Sequence, residues 1–314
     1  MKSTRPRRRL PVWVRSRIPS GPVYTKLKSL VKAQGLATVC EEARCPNLHE
    51  CWAQGTLTVM IMGEVCTRAC RFCSVKTGRL GEPLDADEPR RLAEALAALD
   101  LAYVVFTSVD RDDLEDAGAD HFRRAILELR RRCPTLKIEV LTPDFGGLRE
   151  RVVHVASAPP DVFAHNIETT ERLHGRVRDR RAGYQQSLDV LAWAREAVPG
   201  LVTKSSIMVG HGESAAELEE TMRDLLGVGV SILTLGQYLQ PSRTHLEVTE
   251  YVTPERFEDY RVMAEELGFA VVASGPMVRS SYRAAEVFTK MLLDSRSENH
   301  DASAKPRTSP FGRS

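Results

Sequence analysis

The chain has 314 residues, 42% hydrophobic content and a formal net charge of +2. That supplies core for one barrel-sized domain or two ordinary ones, and too little overall charge to draw a polyanion such as nucleic acid to the whole surface. No apolar run approaches the roughly 20 residues of a membrane span, since the longest candidates, 57–62 and 101–106, have only strand length, and no bilayer role is expected. In chain order, residues 1–28 carry many Lys and Arg, including Arg7-Arg8-Arg9, and no acidic residue. This reads as a solvated arm, with a transit peptide or an anion-seeking arm as the alternatives. Six of the seven cysteines then fall in two triplets, Cys40-x4-Cys45-x5-Cys51 and Cys66-x3-Cys70-x2-Cys73. Such clustering in a long chain points to reduced thiols holding metal rather than to disulfides. No apolar leader follows the arginines, so the bacterial cytoplasm is the expected location, with an organelle left open.

From residue 57 onward short β-rich runs alternate with amphipathic stretches, the pattern of βα units around a parallel sheet. Strands are expected at 57–63, 101–107, 136–141, 161–168, 201–209, 231–237 and 269–273, and helices at 89–99, 119–131, 184–196, 214–226 and 254–267. Repeated right-handed crossovers of this number give an open doubly wound sheet or a partial or closed (β/α) TIM-like barrel. The barrel is favoured because polar groups collect at the expected strand ends: Thr107, Ser108 and Asp110; Asn166 and Glu168; Lys204 and Ser205; Gln237 and Gln240. The second triplet follows directly on the first of these strands. Three regions result: an extension, 1–56, carrying the first triplet; the α/β barrel, 57–285, ending in a C-terminal segment; and a polar tail, 286–314, expected to be disordered.

Three thiolates fill three corners of a 4Fe-4S cube and leave one iron free, whereas a structural zinc is closed by four ligands. The nearest further ligand in sequence, His49, lies within the other triplet. In Cys66-Thr-Arg-Ala-Cys70-Arg-Phe-Cys73 one short loop can wrap three corners, with Arg68 and Arg71 offsetting the thiolate charge. The spacing, with aromatic Phe72 before the last cysteine, resembles the signature of the radical S-adenosylmethionine superfamily. The resemblance implies that the free iron chelates S-adenosyl-L-methionine and that one electron cleaves the sulfonium to a 5'-deoxyadenosyl radical, which abstracts hydrogen from unactivated C–H bonds. The protein's share would be to aim that radical and exclude water.

Cys40-Glu-Glu-Ala-Arg-Cys45-Pro-Asn-Leu-His-Glu-Cys51-Trp52 is a rarer string, and it resembles the auxiliary-cluster motif of the lipoyl synthase family. Similarity to that family continues through Thr107-Ser-Val-Asp-Arg-Asp-Asp-Leu114, Asn166-Ile-Glu-Thr169, Gly236-Gln-Tyr-Leu-Gln-Pro-Ser242 and Arg279-Ser-Ser-Tyr-Arg-Ala284, over roughly residues 35–285. The family resemblance implies two 4Fe-4S clusters, the auxiliary one held by Cys40, Cys45 and Cys51 and closed by a serine oxygen, for which Ser280 is preferred over Ser281. A hard oxygen donor should hold iron less firmly than thiolate, which suits a cluster that is itself the sulfur source. Implied, too, are sulfur insertion at C6 and C8 of an octanoyl chain amide-linked to a lysine of a lipoyl carrier domain (a 2-oxoacid dehydrogenase E2 or glycine cleavage H protein), an electron donor such as flavodoxin or ferredoxin, and an iron–sulfur carrier for cluster repair. Phe72, Thr107, Ser108, Asn166, Glu168 and Lys204 are the expected contacts to S-adenosylmethionine, the polar ones alternatively being strand ends satisfied by backbone, and Arg279 is expected near the auxiliary cluster, with a surface salt bridge as the alternative.

Two other classes compete: a radical enzyme with a different target, such as a biotin synthase or methylthiotransferase, and a plain iron–sulfur electron carrier or zinc module. Met60 and Met62 read as core packing, Cys133 as a helix-end residue, and His121, His165 and His211 as hydrogen-bonding residues without a catalytic role. Asp110, Asp112, Asp113, Glu115 and Asp116 read as a solvated acidic turn, lacking the alternation and glycine of a calcium loop. Ser206 and His211 stand where the family usually has Gly and Leu, which at the strand site of Ser206 bears on the S-adenosylmethionine pocket, and the segment after Val177 lacks an expected Pro, which bears on the shape of that loop.

Overall fold

Aliphatic and β-branched runs pair into one eight-stranded sheet in the computed structural model, which describes residues 10–14, 25, 28–29, 37–42, 45, 47–53, 58–99, 101 and 103–282. The Arg7-Arg8-Arg9 run, the tail 286–314 and the side chain of Cys40 lie outside the described residues. The strands are β1 (Ala37–Thr38), β2 (Thr58–Ile61), β3 (Val65–Cys66), β4 (Lys76–Thr77), β5 (Tyr103–Ser108), β6 (Lys137–Leu141), β7 (Val162–Ala164), β8 (Val202–Val209), β9 (Ile232–Gln237) and β10 (Val271–Gly275). Their order is β1-β2-β5-β6-β7-β8-β9-β10, with β3 and β4 forming a small separate ladder. Every neighbour pair from β2 to β10 is parallel, and only β1 is antiparallel, to β2. Consecutive burial of β2, β7 and β9 reflects cover on both faces, as parallel sheets require. The seven parallel strands are those expected from the sequence.

The five expected helices also form, as Glu88–Ala97, Ala119–Arg132, Tyr184–Ala197, Ala215–Gly227 and Pro254–Leu267. Their starts have local causes. Ser214 and Glu217 make a reciprocal capping box, and Thr253 accepts from the Arg256 N–H ahead of a proline in the first turn, each satisfying amide groups that a helix start leaves unpaired. Four further helices among the described residues, Val39–Glu42, Leu48–Ala53, Arg149–Ala156 and Glu171–Val177, were not anticipated, because four to eight residues carry too few turns for a helical period to show.

The sheet is a partial barrel. Among the described residues β10 pairs only with β9, so the first and last strands are not laddered together. A turn covers that seam instead: Val278 donates to the Gly275 carbonyl and Tyr282 to that of Arg279. Gly236 and Gly275 face each other in register, and at Gly236 a Cβ would lie 2.0 Å from the Val278 carbonyl oxygen, so only glycine lets the turn sit this close. Across the seam the Asn47 amide donates to the Met277 carbonyl, and Tyr282 packs on the core cluster that contains Cys51 and Trp52.

Candidate functional site

Where β2 ends, Met62 and Gly63 both take positive φ, 68° and 83°, and turn the chain from the strand into the second cysteine loop. Strain of this kind in a non-glycine residue persists only where surroundings enforce it. Here the Met62 N–H donates to Glu88, and its carbonyl accepts from the buried Arg111 guanidinium. Backbone bonds then fix the loop itself. Thr67 N–H donates to Asp110 O (2.9 Å), Arg71 N–H to Val177 O (2.9 Å) and Gly78 N–H to Cys66 O (3.0 Å). Amides also point at sulfur, from Arg68 to Cys66 Sγ (3.5 Å) and from Asp179 to Cys70 Sγ (3.4 Å).

Burial pushes all three thiols up, Cys66 to about 11 and Cys73 to about 12, with the Asp110 carboxylate adding at Cys66 and the neighbouring thiols adding at Cys73. As free thiols they are protonated at neutral pH, so a metal must displace protons to bind them. No three His, Cys, Asp or Glu side chains among the described residues converge on a position for a single ion. A cube makes no such demand, because each thiol binds its own iron.

Arg68 does not face the thiols as expected. Its side chain is 2% exposed and is claimed by carboxylates, bonding both oxygens of Asp112 (2.8 and 2.9 Å) and of Asp144 (2.5 and 2.7 Å). Asp110 lies 3.5 Å away. The acidic turn is accordingly solvated only in part, at Asp112 and Glu115, a second correction to the sequence reading. Asp110 and Asp112 serve Arg68, Asp113 grips Arg111, and Asp116 accepts from the Gly118 and Asp120 amides at a helix start. The turn thus clamps the cysteine loop to the ends of β5 and β6. Burial lifts Asp110 to about 6, while Arg68 more than offsets burial at Asp144 and holds that carboxyl below its usual range.

Above the loop a cavity of about 1150 Å³ opens at the C-terminal ends of the strands. Cys66, Cys70 and Cys73 line it on one side, and Cys45, Cys51, Ser280 and Ser281 also line it, so members of both triplets and the serine pair share one chamber. Arg279 lies there as well, donating to the Val278 carbonyl at 2.6 Å; burial pushes its guanidinium down and the Cys45 sulfur works the other way. Cys40 sits on the short helix Val39–Glu42.

Phe72, Thr107, Ser108, Asn166 and Glu168 all line the cavity. Phe72 also packs on Leu173, Val177, Tyr238 and Leu246. Thr107 and Ser108 donate their hydroxyl protons to the Leu141 and Val109 carbonyls, leaving oxygen lone pairs. Asn166 donates to Glu168 (3.1 Å) while its own Oδ1 has no partner. Glu168 is held at φ 70° between β7 and β8, and burial pushes its carboxyl up. Lys204 stands apart. It is 1% exposed, bonds both oxygens of Glu139 (2.7 and 2.9 Å) and is absent from the cavity wall. Tyr103 donates to the same carboxylate, so this strand residue closes a buried ion pair inside the sheet rather than a cofactor pocket.

The structure adds His165, for which the sequence offered no role. Its Nδ1 donates to Thr142 O at 2.9 Å, its Nε2 has no partner, and it lines the cavity. Burial lowers its pKa to about 4, so the ring is neutral and presents a lone pair. Its place one residue before Asn166, at the end of a strand, was the available signal. Met60 lines the cavity too, whereas Met62 packs in the core as expected. Cys133 ends its helix and His121 bonds Glu88, both as expected. His211, in the leucine position, stacks on Tyr238 at 4.3 Å with its pKa lowered by burial to about 4, a neutral ring doing apolar work. Ser206 is buried and lines the cavity. The loop after Val177 is fixed without a proline, by Asp179 accepting from the Ala69 and Arg181 amides.

Residues 60–225 match the family model of the radical SAM superfamily, and residues 1–45 match that of the N-terminal domain of lipoyl synthase. The chain is 58% identical over 286 residues to a lipoyl synthase of Myxococcus xanthus, covering 91% of this chain and 96% of the relative. It is 54% identical over 293 residues to a mitochondrial lipoyl synthase of Phytophthora infestans, covering 92% and 76%. Among solved structures, methylornithine synthase PylB superposes with a TM-score of 0.52 at 11% identity, covering 90% of this chain and 97% of that one, a likeness of fold alone. No described helix is long and apolar enough to cross a membrane.

Proposed function

The chain belongs to the lipoyl synthase family of radical S-adenosylmethionine enzymes, and from that premise we propose how its own residues carry out the family's sulfur insertion on lipoyl carrier domains. When bound, S-adenosylmethionine and two 4Fe-4S clusters supply an electron, a carbon-centred radical and sulfide. Cys66, Cys70 and Cys73 hold three irons of one cluster and leave the fourth open. The donor set fits: three buried thiols on one loop, with main-chain amides already aimed at two of the sulfurs.

Around that corner the wall offers unpaired acceptors, with the Arg178 Nε–H as an unpaired donor among the lining residues. Asn166 Oδ1 and His165 Nε2 are buried without partners, and a buried acceptor left unpaired is costly unless a ligand completes it. They, with Glu168 and the hydroxyl oxygens of Thr107 and Ser108, would receive the amino and hydroxyl hydrogens of a bound S-adenosylmethionine. Phe72, Met60 and Tyr238 line the same space and keep it apolar, so that a reactive carbon meets substrate before water.

Cys40, Cys45, Cys51 and Ser280 hold the second cluster as sulfur donor. The observation that carries this reading is the single chamber: Cys45, Cys51 and Ser280 line the same cavity as the first loop, and its volume exceeds the 300–1000 Å³ of ordinary small-molecule sites, as a nucleoside, an acyl arm and two clusters demand. Reduced clusters require a reducing compartment, bacterial cytoplasm or its organellar equivalent, with an electron donor such as flavodoxin or ferredoxin and an iron–sulfur carrier for repair.

Anaerobic reconstitution followed by incubation with S-adenosylmethionine, reductant and an octanoyl-lysyl peptide tests it. Two sulfurs are expected on the peptide by mass spectrometry, from protein holding about eight irons per chain, the content of two four-iron clusters. Four irons, or cleavage of S-adenosylmethionine with no sulfur gained, would refute the sulfur-donor role. Ser280→Ala is expected to abolish insertion while cleavage continues, and Ser281→Ala to have the smaller effect.

A further inference from the structure

Surface cations on this protein are mostly neutralised internally. Arg90, Arg149, Arg223 and Arg261 each reach a carboxylate, and others cap carbonyls, as Arg195 does at Gly229. Among the described residues, the side chains of Lys76, Arg79, Arg176, Arg180 and Arg243 have neither an ion pair nor a hydrogen bond, and all five residues are exposed. They are not scattered. Lys76 and Arg79 follow the cysteine loop, Arg176 and Arg180 lie on the segment after β7, and Arg243 on the segment after β9.

Those three segments are stitched to one another. Arg71 N–H donates to Val177 O and Leu246 N–H to Arg71 O, while His245 donates to the Cys73 carbonyl and Arg181 to that of Thr67. The unpaired cations therefore form a rim on segments that border the cavity, whose wall includes Arg176 and Arg243 themselves and, near Lys76 and Arg180 in sequence, Val75, Thr77 and Arg178. Arg71 joins them, held only by a carbonyl at 3.4 Å. The carboxylates on these same segments include Asp179, Glu250 and Glu168, which are taken by Arg181, Arg256 and Asn166, and Glu64, Glu82, Glu171 and Glu247, the latter set fewer than the unpaired cations. Leu10, also on the cavity wall, is preceded in sequence by Arg7-Arg8-Arg9.

We propose that this rim is the docking face for the carrier domain, and that it selects carriers whose surface around the acylated lysine is acidic. This rests on the carrier-bound substrate of the preceding section. Charges left unpaired at a surface cost little in water but steer an oppositely charged partner, raising the association rate and fixing its orientation. A carrier seated on the rim points its lysine arm down the cavity between the two cysteine sets. The rim thus supplies recognition while the cavity supplies chemistry.

The test compares two substrates in the reconstituted enzyme, an intact octanoylated acidic carrier domain and an octanoyl-lysyl peptide of zero net charge. The triple variant Lys76→Glu, Arg79→Glu, Arg180→Glu leaves the cavity wall untouched. Its kcat/KM for the carrier is expected to fall about tenfold or more at low salt, with the deficit shrinking as salt screens the rim and the peptide rate and iron content unchanged. A carrier with acidic residues around its lysine changed to Lys should recover rate with the variant. Equal loss on both substrates, no loss on either, or loss of binding to a transfer RNA with the carrier rate intact would overturn the proposal. Failure of the unaltered enzyme to modify even the peptide would instead overturn the assigned reaction.

Discussion

Replacing Gly236 by Ala should uncouple sulfur insertion from radical generation. The new Cβ would lie 2.0 Å from the Val278 carbonyl oxygen and 3.0 Å from its carbon, against a floor of 3.0 Å that real Cβ atoms respect. Main chain, not a flexible side-chain end, must yield by the difference, about 1 Å. Val278 leads directly into Arg279 and Ser280, so the displacement is delivered to the serine turn. Such misplacement beside a reacting centre is worth about a hundredfold in rate, and the overpacking about 1–3 kcal/mol in stability. None of the hydrogen bonds that fix the cysteine loop involves Gly236 or the serine turn, so that loop keeps them. The assay is paired: 5'-deoxyadenosine released from S-adenosylmethionine, and sulfur gained by an octanoyl-lysyl peptide. The first should remain near the parent level while the second collapses. Gly275→Ala is the control, since its Cβ would meet only the Val278 side chain at an ordinary 3.4 Å. Equal activities for the Gly236 variant and the parent would refute the claim that the turn's position governs the second cluster.

Removing the His165 imidazole, as in His165→Leu, should slow S-adenosylmethionine cleavage about tenfold or more, the loss of one buried hydrogen bond and its shape. Iron content should be unchanged, and a normal cleavage rate would show that Nε2 receives nothing. Lys204→Met leaves Glu139 buried without its cation and should cost about 3–5 kcal/mol by chemical denaturation. A stable Lys204→Met protein whose KM for S-adenosylmethionine alone had risen would restore the cofactor role first assigned to that lysine. Asp144 has a folded pKa below its unfolded one, so its ionised form stabilises at neutral pH and that contribution is lost as pH falls through the folded value. The stability gap between the parent and Asp144→Asn should be widest near pH 7 and close as the pH drops below about 4, the ordinary carboxylate range. A gap independent of pH would mean the Arg68 clamp acts by packing alone.

Much of this was legible in the amino-acid sequence because strands and long helices write their burial as a period. The runs from Thr58 to Gly275 gave strand positions to within a few residues, and the cysteine spacings marked the site. What escaped detection is three-dimensional in origin. Lys204 is a polar residue near a strand end, indistinguishable in sequence from Asn166, yet it points to Glu139 on a strand two places over while Asn166 faces the cavity. Arg68 sits between cysteines and invites the reading of a thiolate counterion. Only the fold brings Asp112 and Asp144 to it from 44 and 76 residues away. His211 follows the same logic in reverse, a polar letter in a leucine position made apolar in effect by Tyr238.

The gap between the first and last strands separates what must endure from what must be renewed. A laddered closure would tie the serine turn into the cooperative framework of the sheet, so that freeing it meant melting strands. Held instead by one amide, one ring and the facing glycines, the turn can be released like a latch. If the second cluster gives up its sulfide at each round, as proposed, the turn is a service hatch beside the part that is used up, in a barrel that never has to unfold.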